Sequence, residues 1–240
     1  MVYLDEKTHT YYNTENNEIN YTSVTSLVNS YKEEFDKMYH ASRVAKRENR
    51  EVQDVLNEWQ EKNRVANEYG TNLHKILENY LLTDKNQFYV PKNEYEEKVI
   101  TEFENLELIK NEVKPEALLH LDFDHYHGIA GTADIIEKSG KESFNVWDFK
   151  TNKKFRYESP FNKWLHYPID FLMECEYNIY CLQMSIYAYL FELQTARKAN
   201  RLGALYWEKN QQQFSFIPMI YMKDTVKNLI EHFKIKHLKK

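Results

Sequence analysis

Between Ala117 and Lys150 the apolar pattern changes period, and that change restricts what the chain can fold into. Ala117–Leu121, Gly128–Ile136 and Ser143–Lys150 are three strand-like runs separated only by the turns Asp122–His127 and Ser139–Glu142. Connections this short return each strand beside its predecessor, which predicts an antiparallel meander. On either side the period is helical. From about Glu33 to Leu82, Val52, Val55, Leu56, Trp59 and Val65 recur mostly at threes and fours, and Gly70 interrupts the run before Leu73, Ile76, Leu77 and Tyr80 resume it. Further helices are expected over 93–109, 174–196 and 223–238, with strands at Leu202–Trp207 and Phe214–Ile220 around an Asn-Gln-Gln-Gln turn. Residues 2–20 suggest a small hairpin around a DEKT turn, and Thr22 or Ser23 caps a short helix through Leu27 and Val28. The order predicts an α/β or α+β core over 65–240, with a hairpin and helical extension over 1–64.

Composition narrows the function classes. With 13 Phe, 19 Tyr and 4 Trp in 240 residues, and only 5 Gly and 5 Pro, the chain has the apolar surface for a core and is neither disordered nor collagenous. The net charge of −5 excludes a uniformly basic nucleic-acid binder, so any such site is a local patch. Two cysteines, Cys175 and Cys181, cannot form a four-thiolate zinc site or a cysteine-ligated iron–sulfur cluster. They read as reduced core thiols. The N-terminus lacks a signal-peptide layout, and no run approaches the ~18 apolar residues of a membrane span. The expectation is a soluble cytoplasmic protein with no membrane partner. Its Asn, Lys, Tyr and Glu bias suggests an AT-rich genome, and host cytoplasm if that genome is a phage's.

The chemistry is concentrated in Gly131-Thr-Ala-Asp134 and Trp147-Asp148-Phe149-Lys150. Residues two apart on a strand share a face, so Asp148 and Lys150 project together, opposite Trp147 and Phe149. If the two strands pair through the intervening turn, Asp134 comes near Asp148. Hard divalent cations want carboxylate oxygens. A lysine beside them can orient or deprotonate a metal-bound water, because neighbouring positive charge and burial lower its pKa. Such a set suits attack on a phosphodiester. An isolated Asp-x-Lys is ordinarily a surface salt bridge. Here the flanks are Val146, Trp147 and Phe149 on one strand and Ala133, Ile135 and Ile136 on the other, and charges in strands so apolar are seldom idle. A glycosidase pair fits poorly, because the lysine would suppress the raised pKa a general acid needs.

These residues resemble the PD-(D/E)XK nuclease superfamily, and within it the RecB-like exonuclease branch that includes phage and mitochondrial genome maintenance exonucleases. Four elements follow the family order. Gly70-Thr-Asn-Leu-His74 matches its Gly-x-x-x-His helix, and Glu116 an acidic position before the core strands. Asp134 with Asp148-Phe149-Lys150 matches the signature, and Gln183-Met-Ser-Ile-Tyr187 a downstream Gln-x-x-x-Tyr. The nominal Pro-Asp is Ala133-Asp134 here. The cysteines of the iron–sulfur subgroup are absent, so no cluster is expected. The resemblance implies a restriction-endonuclease-like fold, with a mixed central sheet flanked by helices. It implies His74, Asp134, Asp148 and the Phe149 carbonyl as ligands of Mg²⁺ or Mn²⁺, with Glu116 and Glu78 as support. Lys150 would position water or stabilise the transition state, and Gln183 and Tyr187 would hold the lysine and the phosphate.

A basic loop follows the lysine. Residues 150–163 contain Lys150, Lys153, Lys154, Arg156 and Lys163 against Glu158 alone, placing a nucleic-acid grip beside the site. Phe155, Tyr157, Phe161 and Trp164 are candidates for stacking on unpaired bases. The closing segment 222–240 adds six lysines against two acids. His120, His125 and His127 cluster around a turn and read as solvated. The resemblance implies a metal-dependent DNA exonuclease acting on single strands or ends, alone or with a helicase or recombination partner. A structure-specific endonuclease and a non-catalytic DNA-end binding module are the alternatives.

Overall fold

A computed structural model describes residues 2–5, 8, 10–83 and 88–238. Glu6 and Lys7 of the expected DEKT turn, and Lys239 and Lys240 of the basic C-terminal segment, lie outside the described residues. The expected meander is present as β4 (Val113–Asp122), β5 (His127–Lys138) and β6 (Ser143–Lys150), each antiparallel to the next. The N-terminal hairpin is β1 (Val2–Asp5) with β2 (Thr10–Asn13). A third strand, β3 (Asn20–Ser23), runs parallel to the start of β5. Beyond the meander, β7 (Lys198–Glu208) lies parallel to β6, and β8 (Gln213–Met219) returns antiparallel to β7. The central sheet is therefore mixed and six-stranded, ordered β3-β5-β6-β7-β8, with β4 on the other edge of β5.

Helices cover both faces. The 20-residue α5 (Glu176–Thr195) makes the crossover between parallel β6 and β7. It is apolar nearly all round, as befits a helix buried in the larger core with α1 (Val24–Asn29) and α6 (Lys223–Leu238). On the opposite face, α3 (Val52–Leu82) and α4 (Glu94–Asn105) pack Leu73, Ile76, Leu77, Val99 and Phe103 against Ile135, Trp147, Phe149 and Trp207. Trp147 and Phe149 thus face α3 and α4, and β6 turns Asp148 and Lys150 toward α5. Among the described residues no helix is long and apolar enough to cross a membrane.

Three sequence expectations change. The helical run 33–82 is two helices, because Asn49 adopts a left-handed conformation (φ 52°) that ends α2 (Lys37–Glu48). Gly70 does not interrupt α3. Its missing side chain lets the helix pass Thr151, whose Oγ1 would lie 3.0 Å from a Cβ there. The boundary expected between residues 64 and 65 falls inside α3, while β3 and α1 of the supposed extension are built into the central sheet and its core. The α2–α3 hairpin, packed on Ala41, Ala45 and Val55, has a separate small core.

Candidate metal and phosphodiester site

The site lies where the sheet splits. One edge of β5 carries β4 along most of its length; the other pairs with β3 over 127–130 and with β6 over 135–138. Among the described residues, 131–134 have no strand partner on that second edge. Gly131 keeps the gap open, since a Cβ there would lie 2.6 Å from Tyr187 Cε1 and 2.8 Å from Val24 Cγ2. At the end of the gap Asp134 stands opposite Asp148. Instead of a ladder bond, the Phe149 N–H donates to Asp134 Oδ2 at 2.6 Å.

Across the other edge, the β4–β5 register skips Glu116 between the pairs Pro115↔Ile135 and Ala117↔Ala133. Glu116 has φ 46°, a left-handed conformation that costs a non-glycine residue roughly 1–3 kcal/mol. His74 arrives from α3, its Nδ1 3.5 Å from Asp134 Oδ1 and its ring 5.5 Å from that of Phe149. Ligand atoms of His74, Glu116 and Asp134 all lie within 4.8 Å of one another. Glu78, one turn further along α3, is half-buried on the same side and contributes to the negative field at Glu116.

Asp148 is not part of that three-residue group. Its carboxylate is buried against α5 and forms an ion pair with the Lys150 ammonium. Lys150 Nζ also donates to Gln183 Oε1 at 3.4 Å and lies 4.5 Å from the Tyr180 ring centroid. Gln183 Nε2 donates to the Tyr187 hydroxyl at 3.0 Å and to Thr25 Oγ1 at 3.5 Å. Tyr180, Gln183 and Tyr187 share one face of α5 through i, i+3 and i+7 spacing. Tyr180 was legible from that spacing and was not singled out. Tyr11, whose hydroxyl lies 3.3 Å from Thr132 Oγ1, gave no local signal, because the N-terminal hairpin brings it across 121 residues.

The electrostatics are those of a site with surplus negative charge. Burial, followed by the Asp134 charge, raises both Glu116, to about 7, and Asp148, to about 6. Burial also opposes ionisation of Asp134, but His74, Lys150 and the Phe149 N–H outweigh it and hold Asp134 below its ordinary value. Burial pulls His74 down, yet the adjacent Asp134 carboxylate lifts it to about 9. Lys150 departs from the sequence expectation. Burial would depress it, but Asp148 and Asp134 face it and raise it instead, which favours its cationic form. A divalent cation fits this arrangement. The donor set is dominated by carboxylates, two of them destabilised as anions by burial and by one another.

The basic loop divides. Arg156 pairs with Glu176 at 3.2 Å and Lys163 with Glu33 at 2.7 Å, whereas Lys153 and Lys154 are exposed and in no ion pair among the described residues. Only Lys153 of these four lines the groove that reaches Lys150. Phe155 packs among Tyr157, Tyr180 and Tyr206, while Phe161 and Trp164 stand exposed. The turn histidines are engaged locally: His127 with Asp124, His125 with Glu18, and His120 with Gln194.

The family model of the PD-(D/E)XK nuclease superfamily matches residues 33–236. No curated protein matches the sequence. Solved structures that are similar include two of low identity. One, described as SSO0001, is 16% identical with a TM-score of 0.37, and the match covers 91% of this chain and 76% of that one. The other, from Eubacterium rectale and described as "Putative exonuclease", is 10% identical with a TM-score of 0.42; the match covers 91% of this chain and 79% of that one.

Proposed function

Because the chain belongs to the PD-(D/E)XK nuclease superfamily, we propose that the cluster at the split edge of β5 is the catalytic centre of a Mg²⁺- or Mn²⁺-dependent deoxyribonuclease. The observation that carries this reading is the convergence of His74, Glu116 and Asp134 beside an Asp148–Lys150 pair, all buried or half-buried, where the sheet opens. Nucleases of this superfamily use divalent metals, and DNA is the substrate their family implies.

His74, Glu116 and Asp134 would hold the cation, with Asp148 and the Phe149 carbonyl completing the set and Glu78 adding negative field. When bound, the metal polarises the phosphoryl oxygen and activates the attacking water. The protein's own share is positional and electrostatic. Lys150 stays protonated, and its ammonium stabilises the negative charge that grows on the phosphoryl oxygens. Gln183 fixes the lysine through its Oε1, and Tyr187 fixes Gln183. The product pattern the family implies is a 5′-phosphate and a 3′-hydroxyl.

The finer reading is a RecB-like exonuclease working on single strands or DNA ends. Its support is the Gly70-to-His74 helix, Gln183 and Tyr187 in family order, together with the unpaired cations beside the site. Incubation of end-labelled linear and covalently closed circular DNA with Mg²⁺, Mn²⁺ or EDTA tests it. Metal-dependent loss of linear DNA alone, abolished in Lys150→Ala, is expected. Nicking of circles would replace the exonuclease by an endonuclease. Tight end binding without cleavage under either metal would leave a binding module.

A further inference from the structure

A groove of about 990 Å³ leaves the site on the Lys150 side. One wall is α3 from Glu61 to His74, and the other is the β7–β8 turn from Glu208 to Gln211. The floor is Phe149 to Lys153 with Tyr180 and Tyr206. Its acids are engaged: Glu61 pairs with Arg64 at 2.6 Å, and Glu208 accepts from the Ser215 hydroxyl. Lys62 pairs with Glu58. Lys153 in the floor and Lys209 in the β7–β8 turn are in no ion pair among the described residues. Lys209 Nζ sits 4.1 Å from the Tyr69 ring centroid, and that ring is fixed because its hydroxyl accepts from Trp207 Nε1 at 2.6 Å.

Resting on the nuclease reading above, we propose that this groove holds single-stranded DNA on one side of the scissile phosphate, with Lys209 and Lys153 taking backbone phosphates. Two observations favour this occupant. Lys153 and Lys209 are cations in no ion pair among the described residues, on a lining that runs to Lys150, and ammonium groups placed there suit the phosphates leading to the reacting one; Glu208, hydrogen-bonded to Ser215, is the acid beside them. The rings of Tyr69, Tyr180 and Tyr206 line the same space, and only unpaired bases have faces free to stack on them. Lys209 lies far from the signature residues in sequence and enters the site only through the β7–β8 turn.

The test is binding of labelled single-stranded and blunt duplex DNA in EDTA across a salt series, by fluorescence anisotropy. The proteins compared are wild type, Lys209→Glu, Lys153→Glu, Lys209→Met and, as a control, Lys141→Glu in the distant β5–β6 turn. Each reversal should weaken single-strand binding about tenfold. Lys209→Met, which keeps the alkyl contact with Tyr69, should flatten the log–log salt slope by about 0.7. Lys141→Glu should bind as wild type. With metal present, KM for single-stranded DNA should rise in Lys209→Glu while kcat holds. Wild-type binding and slope in the folded Lys209 variants would overturn the groove, even if the enzyme cleaves DNA. Duplex bound as tightly as single strand, with the same sensitivity to Lys209, would overturn the single-strand assignment. Loss of binding on reversal in a protein that no metal makes active would support the groove and refute the nuclease reading instead.

Discussion

Glu137 is 1% exposed and accepts five hydrogen bonds, and replacing it with glutamine isolates what that network is worth. Its Oε1 accepts from the Lys110 N–H at 3.0 Å, the Asn111 N–H at 3.2 Å and Asn111 Nδ2 at 3.0 Å. Oε2 accepts from Asn145 Nδ2 at 2.8 Å and Trp147 Nε1 at 2.9 Å. Glu137→Gln preserves the shape but turns one oxygen into an NH₂ that must face donors. The less costly orientation is either the three-donor or the two-donor side, so at least two N–H groups lose their acceptor. Trp147 cannot turn, and Asn145 is held by Asn200 Nδ2, 3.2 Å from its Oδ1. Two buried donors left unsatisfied cost about 1–3 kcal/mol each, or about 2–6 kcal/mol in all. That is a large part of a typical 5–15 kcal/mol stability. The pH dependence follows from the charge. Burial opposes ionisation of Glu137, but its donors outweigh this and hold its pKa below the ordinary value. Its contribution is therefore fully present above the unfolded carboxylate pKa of about 4.3 and fades as pH falls through the lower folded value. Urea unfolding followed by tryptophan fluorescence, at neutral pH and then stepwise into acid, measures both effects. The difference between wild type and Glu137→Gln should be largest at neutral pH and shrink in acid. A difference under ~0.5 kcal/mol at neutral pH, or one that grows in acid, would refute the reasoning.

Lys150→Ala should lower cleavage by about 10²–10³-fold, the usual loss for one preorganised charge-stabilising donor, and leave the far-ultraviolet spectrum intact; full activity would remove Lys150 from the chemistry. Metal binding should release protons, because His74 at about 9 is a cation and Glu116 at about 7 is partly protonated near neutrality. Isothermal titration of Mn²⁺ in buffers of different ionisation enthalpy reads the count, which should fall as pH rises toward 9; buffer-independent heats would exclude these ligands. For the same reason the rise in Tm on adding Mn²⁺ should be smaller at pH 6 than at pH 8, and equal shifts would contradict it. Gly131→Ala forces a methyl against Tyr187 and Val24 and should cost about 1–3 kcal/mol with a drop in kcat; an unperturbed melting temperature would mean the gap is not tightly filled.

What the sequence made readable was set by periodicity and local order. The three meander strands, α5 and the closing helix stood out because each is long enough for its apolar pattern to declare itself, and Asp148 and Lys150 were placed on one face by alternation alone. What stayed hidden depends on contacts across the chain. Asn20–Ser23 is too short to read as a strand, yet its parallel pairing with residues 127–130 leaves 131–134 without a partner on that edge. The same segment led the N-terminal region to be read as an extension. Nothing local marks Glu137, since none of its five donors is nearer than eight residues in sequence. Lys150 was placed beside candidate metal ligands by its spacing, but the direction in which its neighbours shift its pKa was not legible. The charge count around it settles the direction, and that count includes Asp134 from another strand. A buried lysine facing two carboxylates is pushed toward its cationic form, the form that can stabilise a phosphorane-like charge. The split in β5 therefore decides the chemistry as well as the geometry, because closing the ladder at Asp134 and Asp148 would turn the Phe149 N–H to a carbonyl and take from Asp134 one of the donors that keeps it ionised.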